Sequence, residues 1–269
     1  TQDWLENTPN ANIYKEVRAQ EIVEALWLYQ KSPWKSRINM LGTSNNDKSV
    51  TITQAAFVKA LIVSFFRSNI TGNNYSMGLF SSNLLPDDLP LDWERNQQAA
   101  YIIAFWQIIR NKVKESTFEW SQTLREGLYI EGQEYDPAFD SKDSLLATDQ
   151  GVRALMIIFN KNSMLYYNET IIQKNKNPFI KWKIDIMSQG EEDISKEKQI
   201  ETAIETIPRD LLNWMNYFAA KLVSFDWRNS SAKGLTSELK RKKEAYRGST
   251  GYRLLFEDIE LHLKQFGDI

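Results

Sequence analysis

Between Lys233 and Arg253 the chain sets Lys233, Lys240, Arg241, Lys242, Lys243, Arg247 and Arg253 against only Glu238 and Glu244. That is a local excess of five positive charges in a chain whose formal net charge is -2. A local excess is what contact with backbone phosphates requires, because each neutralised phosphate releases condensed counterions. The same stretch holds Arg247-Gly248-Ser249-Thr250-Gly251-Tyr252-Arg253, in which small residues lead into a helix start. Backbone amides there, flanked by two arginines, can hold a phosphate oxygen. The candidate nucleic-acid-binding residues are therefore Lys240, Arg241, Lys242, Lys243, Arg247, Ser249 and Arg253. A plainer reading stands beside this one: Ser249 caps a helix after a glycine-bearing turn, and Lys240 to Lys243 wrap around a helix instead of forming one stripe. Lys174, Lys176, Lys181 and Lys183, around Trp182, make a weaker second patch.

The remaining chemistry-bearing residues are sparse. Asp136, Asp140 and Asp143 share a loop, but lack the glycine and terminal glutamate of a calcium-binding loop. Glu191-Glu192-Asp193 followed by Lys196 and Lys198 reads as an acidic helix start with basic residues later, and Asp87-Asp88 before Pro90 as turn composition. A magnesium-dependent nuclease would need Asp136, Asp140, Asp143, Glu191 and Asp193 to converge in one pocket, which their spacing does not require. The only histidine, His262, lies on the edge of an apolar helix face with Asp258 as its one companion in helical reach. With no cysteine, disulfides, thiolate nucleophiles and cysteine metal sites are excluded. No catalytic residue, metal ligand or cofactor is assigned.

The segments that must position these residues read as helices. Ala11 to Lys31 places Ile22, Leu26 and Tyr29 on one face and is stopped by Pro33. Thr53 is an N-cap for a helix to Arg67 that is apolar around most of its circumference. A long Asn/Ser/Gly/Pro loop covers Ser68 to Leu89, and a helix from about Leu91 to Lys114 carries Tyr101, Phe105 and Ile108 on one stripe. Glu131 to Lys142 reads as loop. Thr148 caps a helix bearing Val152, Leu155, Met156 and Phe159, and the polar, tyrosine-bearing Asn160 to Asn177 is the natural boundary between halves. Pro208 opens a helix with Leu211, Met215, Phe218 and Leu222 in register, and a last helix starts near Ser249. Arg37 to Leu41 and Leu128 to Ile130 are the two segments able to pair as strands. Of the tryptophans, Trp27, Trp106 and Trp214 fall in apolar stripes, whereas Trp34, Trp93 and Trp182 border turns and are expected to be partly exposed, as wedges between helices more readily than as a ligand shelf.

The fold expected is mainly α, a multi-helix bundle with at most a small β element. It is divided into a helical core over residues 1–177 and a C-terminal helical subdomain over 178–269 that carries the basic segment. With 269 residues, 42% of them hydrophobic, a sizeable core is affordable. The longest apolar runs fall far short of the ~20 residues that span a bilayer, and the N-terminus lacks a basic start followed by an apolar run. A cytoplasmic protein without membrane association is the expectation.

Two stretches carry a family resemblance. In Ser32-Pro33-Trp34-Lys35-Ser36-Arg37-Ile38-Asn39-Met40-Leu41 a proline turn leads through a short extended piece toward Thr51-Ile52-Thr53-Gln54-Ala55-Ala56-Phe57-Val58. In Ser144-Leu145-Leu146-Ala147-Thr148-Asp149-Gln150-Gly151-Val152-Arg153 an apolar end, a threonine and a glycine lead into a helix. Together with Tyr101 to Val113 and Trp120 between them, these resemble the region of bacterial DGQHR-domain proteins that follows the signature motif, over roughly Ala11 to Tyr166. The Asp-Gly-Gln-His-Arg signature itself is not in the chain, and Asp149 to Arg153 does not take its role. The resemblance implies the helical remainder of such a protein. The start at Thr1 fits either a fragment or removal of methionine before a small residue. It also implies DNA modification or phage defence, with DNA and the protein partners of a defence operon as the expected contacts. Two alternatives remain open: a protein-interaction module of a defence or mobile-element system that uses the Ser68 to Leu89 loop, and the carboxylate nuclease.

Overall fold

The computed structural model describes residues 12–41, 52–67, 77–81, 91, 93–126, 136–171, 177–184 and 195–267. Among them are eleven helices and one two-stranded sheet, so the protein is a mainly α, multi-helix fold. The helices are α1 (Asn12–Leu28), α2 (Gln54–Val63), α3 (Arg95–Glu115), α4 (Glu119–Glu126), α5 (Pro137–Asp140), α6 (Asp149–Ile171), α7 (Pro178–Lys181), α8 (Lys196–Glu205), α9 (Arg209–Val223), α10 (Ser237–Glu244) and α11 (Gly251–Lys264). Two residues each make β1 (Ile38–Asn39) and β2 (Ile52–Thr53), which pair in parallel with Ile38 opposite Ile52. Leu128 to Ile130, the partner expected for β1, lies outside the described residues, as do Lys174, Lys176, Asp87, Asp88 and Glu191 to Asp193.

Helix α3 is the axis of the fold. Residues Gln97 to Trp106 are buried all round, which a helix tolerates only when neighbours cover every face, and α1, α5, α8 and α9 pack on it. Helix α6 is the second axis, gripped by α2 and α11. The two meet through aromatic rings: Phe105 stacks on Phe159 at 3.6 Å between centroids, Tyr101 on Phe159 at 5.0 Å, and the Tyr101 hydroxyl lies 2.8 Å from that of Ser163. That shared face explains why α6 runs to Ile171 and does not stop near Asn160. Ser163, Met164 and Tyr167 are buried, and the Asn160 side chain accepts from the Leu79 amide and donates to the Met77 carbonyl. Residues 77–81, the described piece of the long loop, are thereby pinned to the scaffold.

Thr53 caps α2 as its type dictates, its hydroxyl accepting from the Ala56 amide at 3.2 Å. The helix ends at Val63, short of Arg67, and Phe65 and Phe66 turn into the core. Pro137 starts a one-turn helix inside the segment read as loop. The turn-bordering tryptophans are buried more completely than expected. Trp34, Trp93 and Trp182 are all buried. Trp34 meets Phe57, Trp106 and Phe139 edge-on at 5.0–5.2 Å, and Trp93 and Trp182 donate their indole N–H groups to the Phe179 carbonyl and the Thr206 hydroxyl. They are wedges between elements, the role a large flat ring fills where chain direction changes. No helix among the described residues is long and apolar enough to cross a membrane.

Candidate nucleic-acid interface

The basic segment hangs from a short backbone clasp. After α9, the Trp227 carbonyl accepts from the Leu145 amide, and the Asn229 amide donates to the Asp143 carbonyl, each at 2.7 Å. The strip before α6 is thus paired with the strip after α9 around Ser144 and Arg228. Arg228 is buried and gripped by Asp226, with its Nη2 2.8 Å from Oδ2, and reaches Glu119 at 3.3 Å.

Lys243 docks on the other side of this clasp. Only 4% exposed, its ammonium donates to the carbonyls of Asp226 and Arg228, both at 2.7 Å, and stands 3.5 Å from Asp226 Oδ1. Burial pushes its pKa down to about 8, partly offset by the Asp226 charge. Burial also works to raise the Asp226 carboxyl, but hydrogen bonds from Arg228 and the charge of Lys243 outweigh it and hold the group below its usual range. Lys243 is the only buried residue of α10. The sequence placed it among the phosphate contacts; the structure makes it the anchor of the helix.

At about 100° per residue, an inward Lys243 directs Arg241 nearly opposite, straight into solvent, with Lys240 and Lys242 on opposite flanks. Lys242 lies toward α11 and pairs with Asp258 at 2.8 Å. Lys240 and Arg241 are exposed and form no ion pair among the described residues, and Glu244 shares their flank without pairing. Lys233 and Arg247 are likewise exposed and not ion-paired, Arg247 donating to the Ser231 hydroxyl at 3.2 Å.

The turn before α11 is built for packing. Gly248 has a φ of +86°, where glycine carries no steric cost. A Cβ on Gly251 would fall 1.9 Å from the Tyr246 carbonyl oxygen. The N-cap position falls to Thr250 and not Ser249, and Thr250 makes no side-chain cap bond. The Gly251 amide donates to the Gly248 carbonyl and the Arg253 amide to that of Thr250. Two of the amides expected to face a phosphate are therefore used inside the turn. Arg247 and Arg253 also do not converge on it: the first reaches Ser231, and the second donates from Nε to the Tyr252 hydroxyl at 3.2 Å. In the second patch Lys181 and Lys183 are exposed around the buried Trp182.

The other candidates have local partners. Asp136 and Asp140 face Arg37, whose Nη2 is 2.6 Å from Asp140 Oδ1 and whose Nη1 is 3.9 Å from Asp136 Oδ2. A guanidinium thus stands where a shared cation would. Burial lifts the Asp136 pKa to about 6 despite Arg37. No group of three potential ligands able to hold a metal occurs among the described residues. His262 bonds to the Ser224 hydroxyl at 2.7 Å and not to Asp258, which takes the Tyr246 hydroxyl at 2.5 Å. Burial lowers the imidazole's pKa.

One residue escaped sequence reading. Arg153, on α6, stacks over the Tyr252 ring with its Cζ 3.7 Å from the centroid. Its neighbours in sequence gave no signal, because the basic segment it joins lies about a hundred residues downstream.

No family model, no curated protein and no solved structure matches the chain.

Proposed function

We propose that the chain is a non-catalytic helical module of a bacterial DGQHR-like protein, acting in DNA modification or phage defence and contacting DNA phosphates through its C-terminal basic segment. Supporting the family reading, Ser32 to Leu41 forms the turn and short strand, and Ile52 to Leu61 the capped helix, that the wording of these pieces suggests. The observation that carries DNA contact is the set Lys233, Lys240, Arg241 and Arg247: four exposed cations without an ion pair among the described residues, in a chain of net charge -2. Cations already neutralised by carboxylates release few counterions on meeting DNA; unpaired ones release them fully. Such contacts position a duplex without reading its bases.

The test is titration of a labelled duplex at 50 and 200 mM salt. Four phosphate contacts predict an affinity loss of roughly a hundredfold across that range. Binding that is absent at low salt, or insensitive to salt, refutes the proposal. A protein partner is the second reading, favoured by Leu254 and Leu261, exposed one heptad apart on α11.

A further inference from the structure

Arg153 is a half-buried guanidinium that stacks on the face of Tyr252 and makes no hydrogen bond or ion pair among the described residues. Its Nε is buried without a hydrogen-bond partner. Asp149, one helical turn earlier and in reach for an i, i+4 pair, makes no ion pair with it. A guanidinium carries five donors, and leaving them unmatched in a partly desolvated place is costly unless an acceptor arrives from outside. Stacking on an aromatic face fixes the plane of the group, and with Nε buried it is the Nη1/Nη2 edge that is left for two parallel bonds to one anion, the geometry for which arginine is suited and lysine is not.

The surroundings hold that edge in place. Tyr252 is buried, with Arg253 Nε on its hydroxyl. Gln150 Nε2 donates to the Gly248 carbonyl and ties the first turn of α6 to the turn before α11. Gly151 and Gly251 lie so close to the carbonyls of Leu145 and Tyr246 that a Cβ fits at neither position. Two arginines thus meet one ring where two helix starts come together.

We propose that Arg153 and Arg253, both held against Tyr252, form a phosphate-binding subsite in which Arg153 makes the bidentate contact. The subsite rests on the DNA-contact reading for the source of its phosphate, though the same chemistry accepts free phosphate. The experiment is titration of the full chain with a labelled duplex over a salt series and separately with inorganic phosphate, using wild type, R153M, R153K and K240E/R241E. Thermal melts show that the variants are folded, and R153K guards against a packing defect in R153M.

The expected result is that R153M lowers duplex affinity about tenfold and flattens the log–log salt slope by about one, with R153K only partly restored. If R153M leaves affinity and slope unchanged while K240E/R241E reduces both, the subsite is overturned and DNA contact stands. If wild type binds no duplex but binds inorganic phosphate in an Arg153-dependent way, the subsite stands and the DNA reading falls. Binding of neither ligand overturns both.

Discussion

The ammonium of Lys243 lies 2.7 Å from the backbone carbonyl of Arg228, and with its equal bond to the Asp226 carbonyl it holds an otherwise exposed helix to the clasp that joins the strips flanking α6 and α9. Replacing Lys243 by Met strips two buried carbonyls of their donor and leaves Asp226 with Arg228 alone, a loss of about 2–3 kcal/mol. The pH dependence has a definite sign. Because the folded pKa sits near 8, below the ordinary 10.5, the unfolded chain binds the extra proton between these values, and stability rises with pH across that window. Denaturant midpoints at pH 8 and 10 will show wild type gaining stability relative to K243M as pH rises.

Asp136 behaves oppositely in the acid range. Its folded pKa of about 6 lies above the ordinary 3.8, so its contribution is fully present below pH 3.8 and is lost as pH rises through 6. The size is on the order of 3 kcal/mol. Substitution by Asn removes this dependence and leaves the protein as stable as wild type, or more so, at pH 7. Thermal melts between pH 4 and 7 read the difference.

Ser36 holds a φ of 57° in the turn that seats Trp34. A residue with a Cβ pays about 1 kcal/mol there. Ser36→Gly is predicted to raise the unfolding free energy by about 0.5–1 kcal/mol, and Ser36→Val to lower it, by chemical denaturation.

Gly151 decides between two effects of known size. Ala at an ordinary helix position gains nearly 1 kcal/mol over Gly. Here, however, its Cβ would lie 1.7 Å from the Leu145 carbonyl oxygen. The clash wins, and Gly151→Ala is expected to lower stability by about 2–4 kcal/mol.

How much of this was legible in the sequence follows the range of the forces involved. Helical periodicity and the Thr53 cap are local, so the α class, the course of α1, α2, α3 and α9, and the burial of Trp106 could be read directly. Contacts between distant segments could not. Trp34, Trp93 and Trp182 read as turn residues that wedge between helices, and only rings and helix ends far along the chain show how completely they are buried. Asn160 looks like a boundary until Met77 and Leu79 are seen to need its amide. Lys243 has the same surroundings in sequence as Lys242, and nothing local marks which of the two points at the clasp. Ser249 is a better cap by type than Thr250, yet close packing of Gly251 on Tyr246 sets where α11 begins. Arg153 became visible only when Tyr252 was placed beneath it.

The sorting of the basic segment into free and committed cations is tested most directly by the salt dependence of duplex binding, measured side by side for K240E/R241E and K243M. Removal of two free cations should flatten the log–log slope by about two, whereas K243M, once folded, should keep the wild-type slope. Equal slopes for wild type and K240E/R241E, or a flattened slope in K243M alone, would contradict the assignment of phosphate contact to the exposed face of α10.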